Sequence, residues 1–301
     1  MKNKFNLWLF ITSSMKVRKY RNKKYHFFSD EETIDKIVRE GCSLTRYGDG
    51  EFKWMMMIKQ NSFQNDSDDL AHDLLEVLHS DNPKLLIGIP HTFNYVSGYN
   101  LVGKYYWNYF ICKYYDKISK YLNSDKIYAD AMITRPYMDY KNKKSCVKNF
   151  SLFKKVWDKR NIILLEGDGS YWGVGSDLLS NSNSIKRIIC PNRDAYFVID
   201  KIYNSVIENA NKDDLILIAL GPTASILSYR LCNNGYQAID IGHLDIEYAW
   251  YLKNAIIKTS IKGKNVNEGI KVINIDMNID KYKDKYNEEI IDRISLDKKD
   301  S

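Results

Sequence analysis

The chain has 301 residues, of which 44% are hydrophobic and 28% are charged, with only 15 glycines and 5 prolines. This composition is typical of a globular protein and excludes disordered, collagenous and low-complexity chains. No run of about 18 apolar residues is present, so the sequence predicts no membrane-spanning helix. The five cysteines are scattered and form no C-x-x-C pair. Such a set argues against a disulfide framework or a Cys-type zinc site, and predicts a cytoplasmic protein.

The excess of basic residues is confined to the start of the chain. The net charge is +7, from 45 Lys and Arg against 38 Asp and Glu. Residues 1–29 contain eight basic and no acidic residues, which leaves residues 30–301 with a net charge of −1. Because nucleic-acid binding needs a basic face on the folded domain, this distribution argues against a nucleic-acid partner.

The basic segment also contains an apolar cluster, from Phe5 to Ile11, ahead of the run from Lys16 to Lys24. One interpretation is peripheral docking on the anionic inner face of a membrane. The other is an amphipathic first helix that packs on the domain, followed by a solvated basic connector. We therefore divide the chain into an N-terminal extension of residues 1–29, a domain of residues 30–278 and a charged tail of residues 279–301.

Hydrophobic periodicity predicts alternating strands and helices along the domain. A helix is expected over 30–41, where Ser29 or Asp30 can cap its start and Gly41 can end it. Other apolar patterns predict strands over 42–47, 84–90, 127–132, 161–166, 185–190, 215–220 and 238–241, and helices over 66–80, 99–122, 194–210 and 224–233. This alternation predicts an α/β fold: one Rossmann-like domain with insertions, whose mostly parallel sheet is flanked by helices.

The first candidate site is the segment Arg46-Tyr47-Gly48-Asp49-Gly50-Glu51, directly after a predicted strand. If the segment is extended, the two carboxylates project to the same side, and the glycines let a ligand approach the backbone. Such a pair suits Mg²⁺ or Mn²⁺ completed by substrate phosphates. The alternative is a polar turn, since Asp-Gly is a common turn dipeptide. Spacing alone favours the turn, whereas the position at the carboxyl end of a strand, where open α/β sheets bind ligands, makes the metal site an equal alternative.

The second candidate site is Gly221-Pro222-Thr223, where an apolar strand turns into a helix. Free backbone N–H groups and the positive end of the helix dipole at such a turn make an anion site. A simple turn with a cap explains the same residues equally well.

The third candidate is the acidic segment that contains His243, Asp245 and Glu247. His243 and Glu247 share a face whether the segment is a helix or a strand, whereas Asp245 joins them only if it is extended. These residue types can act as a general base or position a metal. The alternative is a solvated helix start, where acidic residues are favoured by the dipole.

The fourth candidate is the glycine-bearing loop from Gly167 to Gly175, which follows a predicted strand. Its glycines, with Tyr171 and Trp172 between them, predict a loop that wraps a ligand, although the pattern is not a dinucleotide fingerprint. The alternative is a flexible surface loop. Arg135 can supply a cation to a phosphate, but taken alone it is more typical of a surface ion pair.

Four segments occur in order and are more specific together than singly. They are RYGDGE at 46–51, TRPYM at 134–138, EG…GVGSDL at 166–178, and LGPTASILSYRL…GYQAIDIGHLDIEY at 220–248. Over roughly residues 30–258 the chain resembles the GT-D-fold glycosyltransferases, a bacterial family formerly known only as a domain of unknown function.

The resemblance implies a Rossmann-like fold and a nucleotide-sugar donor, usually UDP-linked. It also implies a Mn²⁺-type metal on an Asp-x-Glu motif, which falls on Asp49 and Glu51, and an acceptor in a surface glycan or glycoprotein. The residues then expected to contact the donor are Arg46, Gly48, Arg135, Gly173, Gly175, Gly221, Pro222 and Thr223. We expect Glu247, ahead of Asp245, to be the base of an inverting transfer, with His243 orienting it or binding phosphate.

The glycine loop departs from the family pattern, which is closer to S-R-x-G-V-G-N-D. Here Tyr171 stands where Arg is usual, and Ser176 stands where Asn is usual. If that Arg contacts a sugar, its replacement changes the sugar used. Two other functions fit the same residues: a metal-dependent nucleotide or sugar-phosphate hydrolase, and a non-catalytic scaffold that binds nucleotide-sugars.

Overall fold

A computed structural model describes residues 7–22, 24–60, 62–265 and 270–296, with the side chains of all of these except 7–10 and 270–274. The described residues form eleven strands and ten α-helices. None of the helices in these ranges is long and apolar enough to cross a membrane.

Nine strands form one parallel sheet. They are β1 (His26–Phe27), β2 (Ser43–Arg46), β3 (Leu85–Ile89), β4 (Ile127–Asp130), β5 (Asn161–Gly167), β6 (Ser184–Cys190), β7 (Leu215–Ala219), β8 (Gln237–Asp240) and β11 (Ile290–Arg293). Their order across the sheet is β1-β4-β3-β2-β8-β7-β5-β6-β11. Strands β9 (Thr259–Ile261) and β10 (Ile270–Ile275) pair separately. The parallel sheet confirms the predicted fold class, and all the predicted strands are present within two residues of their expected bounds.

The helices cover the faces of the sheet. They are α1 (Leu7–Tyr20), α2 (Asp30–Glu40), α3 (Asp49–Met55), α4 (Asp68–Leu78), α5 (Leu101–Ile118), α6 (Cys146–Val156), α7 (Ile199–Asn209), α8 (Pro222–Asn233), α9 (Leu244–Leu252) and α10 (Lys283–Glu289). The start of α2 is a capping box between Ser29 and Glu32, and Gly41 ends the helix in the left-handed region. The predicted caps of this helix are therefore confirmed.

The chain order of the strands reverses at β2, next to β8. Strands β3 and β4 continue the sheet on one side of β2, while β8, β7 and β5 continue it on the other. Because the strands are parallel, their carboxyl ends all meet at one edge, and a crevice opens where the order reverses. Strand β7 is buried along almost its whole length, which explains its unbroken apolar run. The sheet therefore places the segments after β2, β7 and β8 side by side.

The predicted divisions at residues 29 and 279 do not separate folded units. Strand β1 and strand β11 are the two edges of the nine-stranded sheet, so both the extension and the tail contribute to it. Helix α1 packs on α5, with Val17 fully buried and the Tyr20 hydroxyl 2.8 Å from Asp116. This packing agrees with the interpretation of a first helix on the domain. Most of the apolar cluster that suggested membrane docking lies outside the described side chains.

Candidate active site

Arg46, at the end of β2, joins the two halves of the sheet at its carboxyl edge. Its Nε donates to the carbonyl of Asp240 (2.9 Å), its Nη2 to Oδ1 of Asp240 (2.7 Å) and its Nη1 to the carbonyl of Ala131 (3.1 Å). The Arg46 and Asp240 side chains are only 12% and 4% exposed. Burial raises the pKa of Asp240, and Arg46 opposes that rise. Forked, charged hydrogen bonds hold the guanidinium firmly at the crevice.

Gly242 lies directly against the guanidinium of Arg46. It adopts a φ of +43°, and a Cβ at this position would lie 1.9 Å from Nη2 of Arg46. We expect Gly242→Ala to lower the free energy of unfolding by about 3 kcal/mol, from backbone strain and the loss of the Arg46 contacts. Urea denaturation measures this loss.

Gly235 offers a matched control. It also has a positive φ, +76°, but nothing lies within 4 Å of a Cβ there. Gly235→Ala should therefore cost only the backbone strain, about 1 kcal/mol. Equal losses in the two variants would show that the contact with Arg46 contributes nothing.

Asp49 and Glu51 occupy the first turn of α3, so the expectation of an extended segment is wrong. Helical residues two apart point about 200° away from each other, and the two carboxylates do not share a side by spacing alone. Glu51 turns back so that Oε2 accepts the N–H of Gly48 at 2.8 Å. Oδ2 of Asp49 accepts from Nζ of Lys53 at 2.5 Å and from the hydroxyl of Tyr106.

The chemistry of this donor set still fits a hard divalent ion. Both hydrogen bonds that described residues donate to the Asp49 side chain use Oδ2, which leaves Oδ1 for a cation. Asp49 is one-third exposed. Burial raises the pKa of Glu51 to about 7. A nearby cation would favour its ionised form.

A different group of potential metal ligands lies on α4. Among the residues that the structure describes, only His72, Asp73 and Glu76 bring three ligand atoms within 4.8 Å of one another. Asp73 already accepts hydrogen bonds from Tyr196 and Arg230. These two contacts satisfy the carboxylate of Asp73 without a metal.

The turn into α8 combines a helix N-terminus with an unpaired hydroxyl. Gly221 has a φ of +57°, and a Cβ there would lie 2.5 Å from the ring of Phe63. Pro222 occupies the first turn, where a missing N–H costs nothing. Thr223 is fully buried, and its Oγ1 has no hydrogen-bond partner among the described residues. The residues of the predicted anion site thus begin a helix, as expected, and Phe63 packs against one side of that helix start.

Glu247 is fully buried in α9. Its Oε2 accepts the backbone N–H groups of Tyr137 (2.9 Å) and Met138 (2.7 Å). Its Oε1 is buried without a partner in the described chain. Burial raises the pKa of Glu247 to about 7, although the two amides and Arg135 oppose the rise. A buried carboxyl group in which only one oxygen has hydrogen-bond partners is a common feature of functional sites.

The two neighbours of Glu247 in the predicted trio have other partners. Because the segment is helical, Asp245 does not share a face with Glu247; Lys264 Nζ lies 2.6 Å from its Oδ2. His243 precedes the helix, and Nδ1 of its ring is 3.0 Å from Nη2 of Arg135. The structure therefore brings His243, Arg135 and Glu247 into one group and directs Asp245 elsewhere.

The glycine loop packs against protein at both glycines expected to contact the donor. A Cβ at Gly175 would lie 2.3 Å from the carbonyl oxygen of Met277, and one at Gly173 would lie 3.0 Å from Leu179. The ring of Tyr171, which replaces the usual Arg, lies 4.6 Å from that of Tyr286 in α10. The close contacts that require glycine at positions 173 and 175 are thus contacts with Leu179 and Met277 of the same chain.

Sequence reasoning missed several residues of this region. Asp240 contacts Arg46 and Tyr106 contacts Asp49, and the long distances along the chain hide both pairings. Lys53 lies only four residues after Asp49, but its contact depends on the helical conformation of α3. A usable signal existed for α3, because acidic residues at the first and third positions after Gly48 are typical of a helix start.

Comparison with known proteins places the chain in a family. A family model described as "Glycosyltransferase GT-D fold" matches residues 44–269. The chain is 33% identical over 266 residues to "Glycosyltransferase GlyD" of Streptococcus pneumoniae serotype 4 (strain ATCC BAA-334 / TIGR4), covering 88% of this chain and 32% of that protein. It is 33% identical over 259 residues to "Probable glycosyl transferase Gly" of Streptococcus gordonii, covering 85% of this chain and 36% of the relative. The chain spans about a third of the length of these curated relatives.

Solved structures agree with this placement. One, described as a domain of unknown function 1792 with a distinct glycosyltransferase fold, has a TM-score of 0.83 at 30% identity, and the match covers 94% of this chain and all of that one. Another, described as a new glycosyltransferase from Streptococcus sanguinis, has a TM-score of 0.81 at 30% identity and covers 90% of this chain and all of that one. The resemblance of the four sequence segments is therefore confirmed, and the chain belongs to the family of GT-D-fold glycosyltransferases.

Proposed function

We propose that this protein transfers a sugar from a nucleoside diphosphate, a UDP-sugar, to a hydroxyl of a surface glycan or glycoprotein, with inversion and with Mn²⁺ or Mg²⁺. One observation carries the proposal. The carboxylates of Asp49 and Glu51 and the N-terminus of α8 flank the crevice beside Arg46, where open parallel sheets bind nucleotides.

The departing diphosphate develops negative charge that this crevice can stabilise. The N–H groups that begin α8 and the guanidinium of Arg135 supply fixed positive potential. The Oγ1 of Thr223, which has no hydrogen-bond partner among the described residues, can donate to a phosphate oxygen. A divalent ion held by Asp49 and Glu51 would supply Lewis-acid stabilisation of the same charge.

The acceptor hydroxyl must lose a proton as its oxygen bonds to the sugar and the bond to the diphosphate breaks. Glu247 remains our candidate for the base, through Oε1. Its Oε2 is held by two backbone amides, which fixes the carboxyl group. A pKa of about 7, raised by burial, suits a base that works near neutral pH.

Glu247→Gln should reduce sugar transfer by about 100-fold, because the amide oxygen can still accept from both backbone N–H groups but the side chain no longer takes a proton. The wild-type rate should rise with pH through about 7 as Glu247 ionises, and this rise should be absent from the variant. A pH–rate profile of both proteins measures the effect. Full activity with an unchanged profile would show that Glu247 only positions the loop at Tyr137 and Met138.

A donor screen tests the function itself. Purified protein is incubated with UDP-, GDP- and TDP-sugars and Mn²⁺, with and without added glycan, and the released nucleotide and sugar products are separated. Transfer to glycan supports the proposal, whereas free sugar regardless of glycan indicates a hydrolase. Calorimetric titration of UDP with and without Mn²⁺ completes the test, because metal-independent binding without turnover indicates a scaffold.

A further inference from the structure

A second group of buried ionisable residues lies at the same edge of the sheet. His91 follows β3 by two residues, and Asp130 ends β4. Because the strands are parallel, both residues lie at the edge that carries Arg46. The two regions share a wall, since the Ala131 carbonyl accepts a hydrogen bond from Arg46.

His91 and Asp130 form an oriented pair. Nδ1 of His91 lies 2.7 Å from Oδ2 of Asp130, while Oδ1 of Asp130 accepts the backbone N–H groups of His91 (3.2 Å) and Met132 (3.0 Å). The imidazole is almost buried, at 6% exposure for the residue. The carboxylate favours a proton on Nδ1, and no described residue bonds Nε2, which leaves that nitrogen for a ligand.

The surroundings of His91 hold more charge than a structural histidine needs. Burial lowers the pKa of His91, but Asp130 and, to a smaller extent, Asp30 raise it, so that the pKa lies above its ordinary value although Arg21 opposes the rise. Burial also raises the pKa of Asp30, with Asp130 adding to the rise. Placing two partly buried carboxylates and a partly buried guanidinium around a buried imidazole is costly. Such clusters are typical of ligand sites.

Tyrosine rings surround the imidazole. The ring centroids of Tyr95, Tyr99 and Tyr140 lie 4.8, 5.5 and 6.5 Å from that of His91. Tyr95 is 53% exposed, so this ring extends the cluster to the protein surface.

The first turns of α5, a few residues after Tyr95, also expose apolar side chains. Leu101, Val102 and Tyr106 are 67%, 73% and 40% exposed, which is unusual for side chains of this size so close together in sequence. The hydroxyl of Tyr106 donates to Asp49, one of the two candidate metal ligands. The start of α5 therefore adjoins the proposed donor site through Tyr106, and it adjoins the His91 cluster through Gly103, which packs against Tyr99.

We propose that the residues from Tyr95 to Tyr106, together with His91, form the acceptor subsite and bind one sugar ring of the glycan. The C–H face of a sugar packs on the exposed aromatic ring, and its hydroxyls bond to His91 as oriented by Asp130. This inference rests on the proposed function and extends it, because it places the acceptor on the β3–β4 side of the crevice.

Saturation-transfer NMR tests the subsite directly. The probes are methyl β-D-glucoside, methyl β-D-galactoside and methyl β-D-N-acetylglucosaminide, each added to the full chain with UDP and Mn²⁺. At least one glycoside should receive saturation from the wild type. Tyr95→Ala and His91→Gln should each raise its Kd about tenfold, and the signal of UDP should be unchanged.

Tyr282→Ala is the matched control, because Tyr282 is 40% exposed and lies in the 279–282 turn outside this surface. It should leave the Kd unchanged. The proposal is overturned if no glycoside receives saturation from the wild type, or if both subsite variants keep the wild-type Kd. A glycoside signal that depends on Tyr95, in a protein that gives no UDP signal, would support the sugar subsite and contradict the proposed function instead.

Discussion

Asp49→Asn is expected to lower metal-dependent sugar transfer by about 1000-fold while leaving the protein folded. Lewis-acid stabilisation of a leaving diphosphate is worth several kcal/mol, and about 4 kcal/mol corresponds to that factor. The amide still offers an oxygen to Tyr106 and Lys53, so the side chain keeps its neighbours but loses the charge that attracts a cation. Transfer rates at saturating Mn²⁺ measure the loss, and Mn²⁺ binding followed by calorimetry should weaken in parallel.

Asp284→Asn provides the control for this variant. Asp284 is also an acidic residue in the first turn of a helix, α10, and it is exposed. Its amide variant should keep wild-type transfer and Mn²⁺ binding. If Asp49→Asn matches this control in both measurements, the proposed metal site at Asp49 and Glu51 is refuted.

Periodicity in the sequence was enough to predict the seven inner strands of the sheet. Apolar runs such as that of β7 are buried on both faces and flanked by turn residues, so they can be recognised locally. The edge strand β1 could not be recognised because it has only two residues. Strand β11 could not be recognised because it is only partly buried and its sequence, IIDR, has no apolar run. The sequence therefore predicts a separate tail, whereas in the structure β11 forms one edge of the sheet.

The candidate site was predictable only as far as it depends on strand ends. Placing polar residues after β2 and β7 located the crevice, because parallel strands end at one edge. The same rule applied to β3 and β4 would have found His91 and Asp130. In contrast, the contact between Arg46 and Asp240 joins residues 194 positions apart, and nothing local in the sequence indicates it. The conformation of Asp49 and Glu51 was misjudged because acidic first-turn residues and metal ligands look alike in sequence.

A buried network of charged side chains holds the glycine loop in place. Nη1 of Arg187 donates to Oε1 of Glu166 (2.6 Å) and to the carbonyl of Trp172 (2.9 Å), while its Nε donates to Glu289 of α10 (2.7 Å). Oε2 of Glu166 accepts the N–H of Trp172 at 2.7 Å. Glu166 and Arg187 are 0% and 3% exposed in their side chains. The network thus ties the loop to β5, β6 and the C-terminal helix.

Arg187→Met should lower the free energy of unfolding by about 3–5 kcal/mol, because it leaves the buried Glu166 without its counter-charge. Burial already raises the pKa of Glu166 above its ordinary 4.5, and Arg187 opposes that rise. Without Arg187 the native state holds a proton that the unfolded state releases as pH increases above 4.5. The stability of the variant should therefore fall with rising pH more steeply than that of the wild type.

Urea denaturation at a series of pH values above 4.5 measures both the loss of stability and its dependence on pH. Arg230→Met is the matched control. Arg230 also pairs with two carboxylates, Asp73 and Asp200, but its side chain is 33% exposed. Because water screens such a pair, the control should lose less than about 1 kcal/mol. A loss in Arg187→Met no larger than the control's would show that the loop is held by apolar packing alone. A large loss that adding Glu166→Gln partly restores would identify the uncompensated carboxylate as its cause.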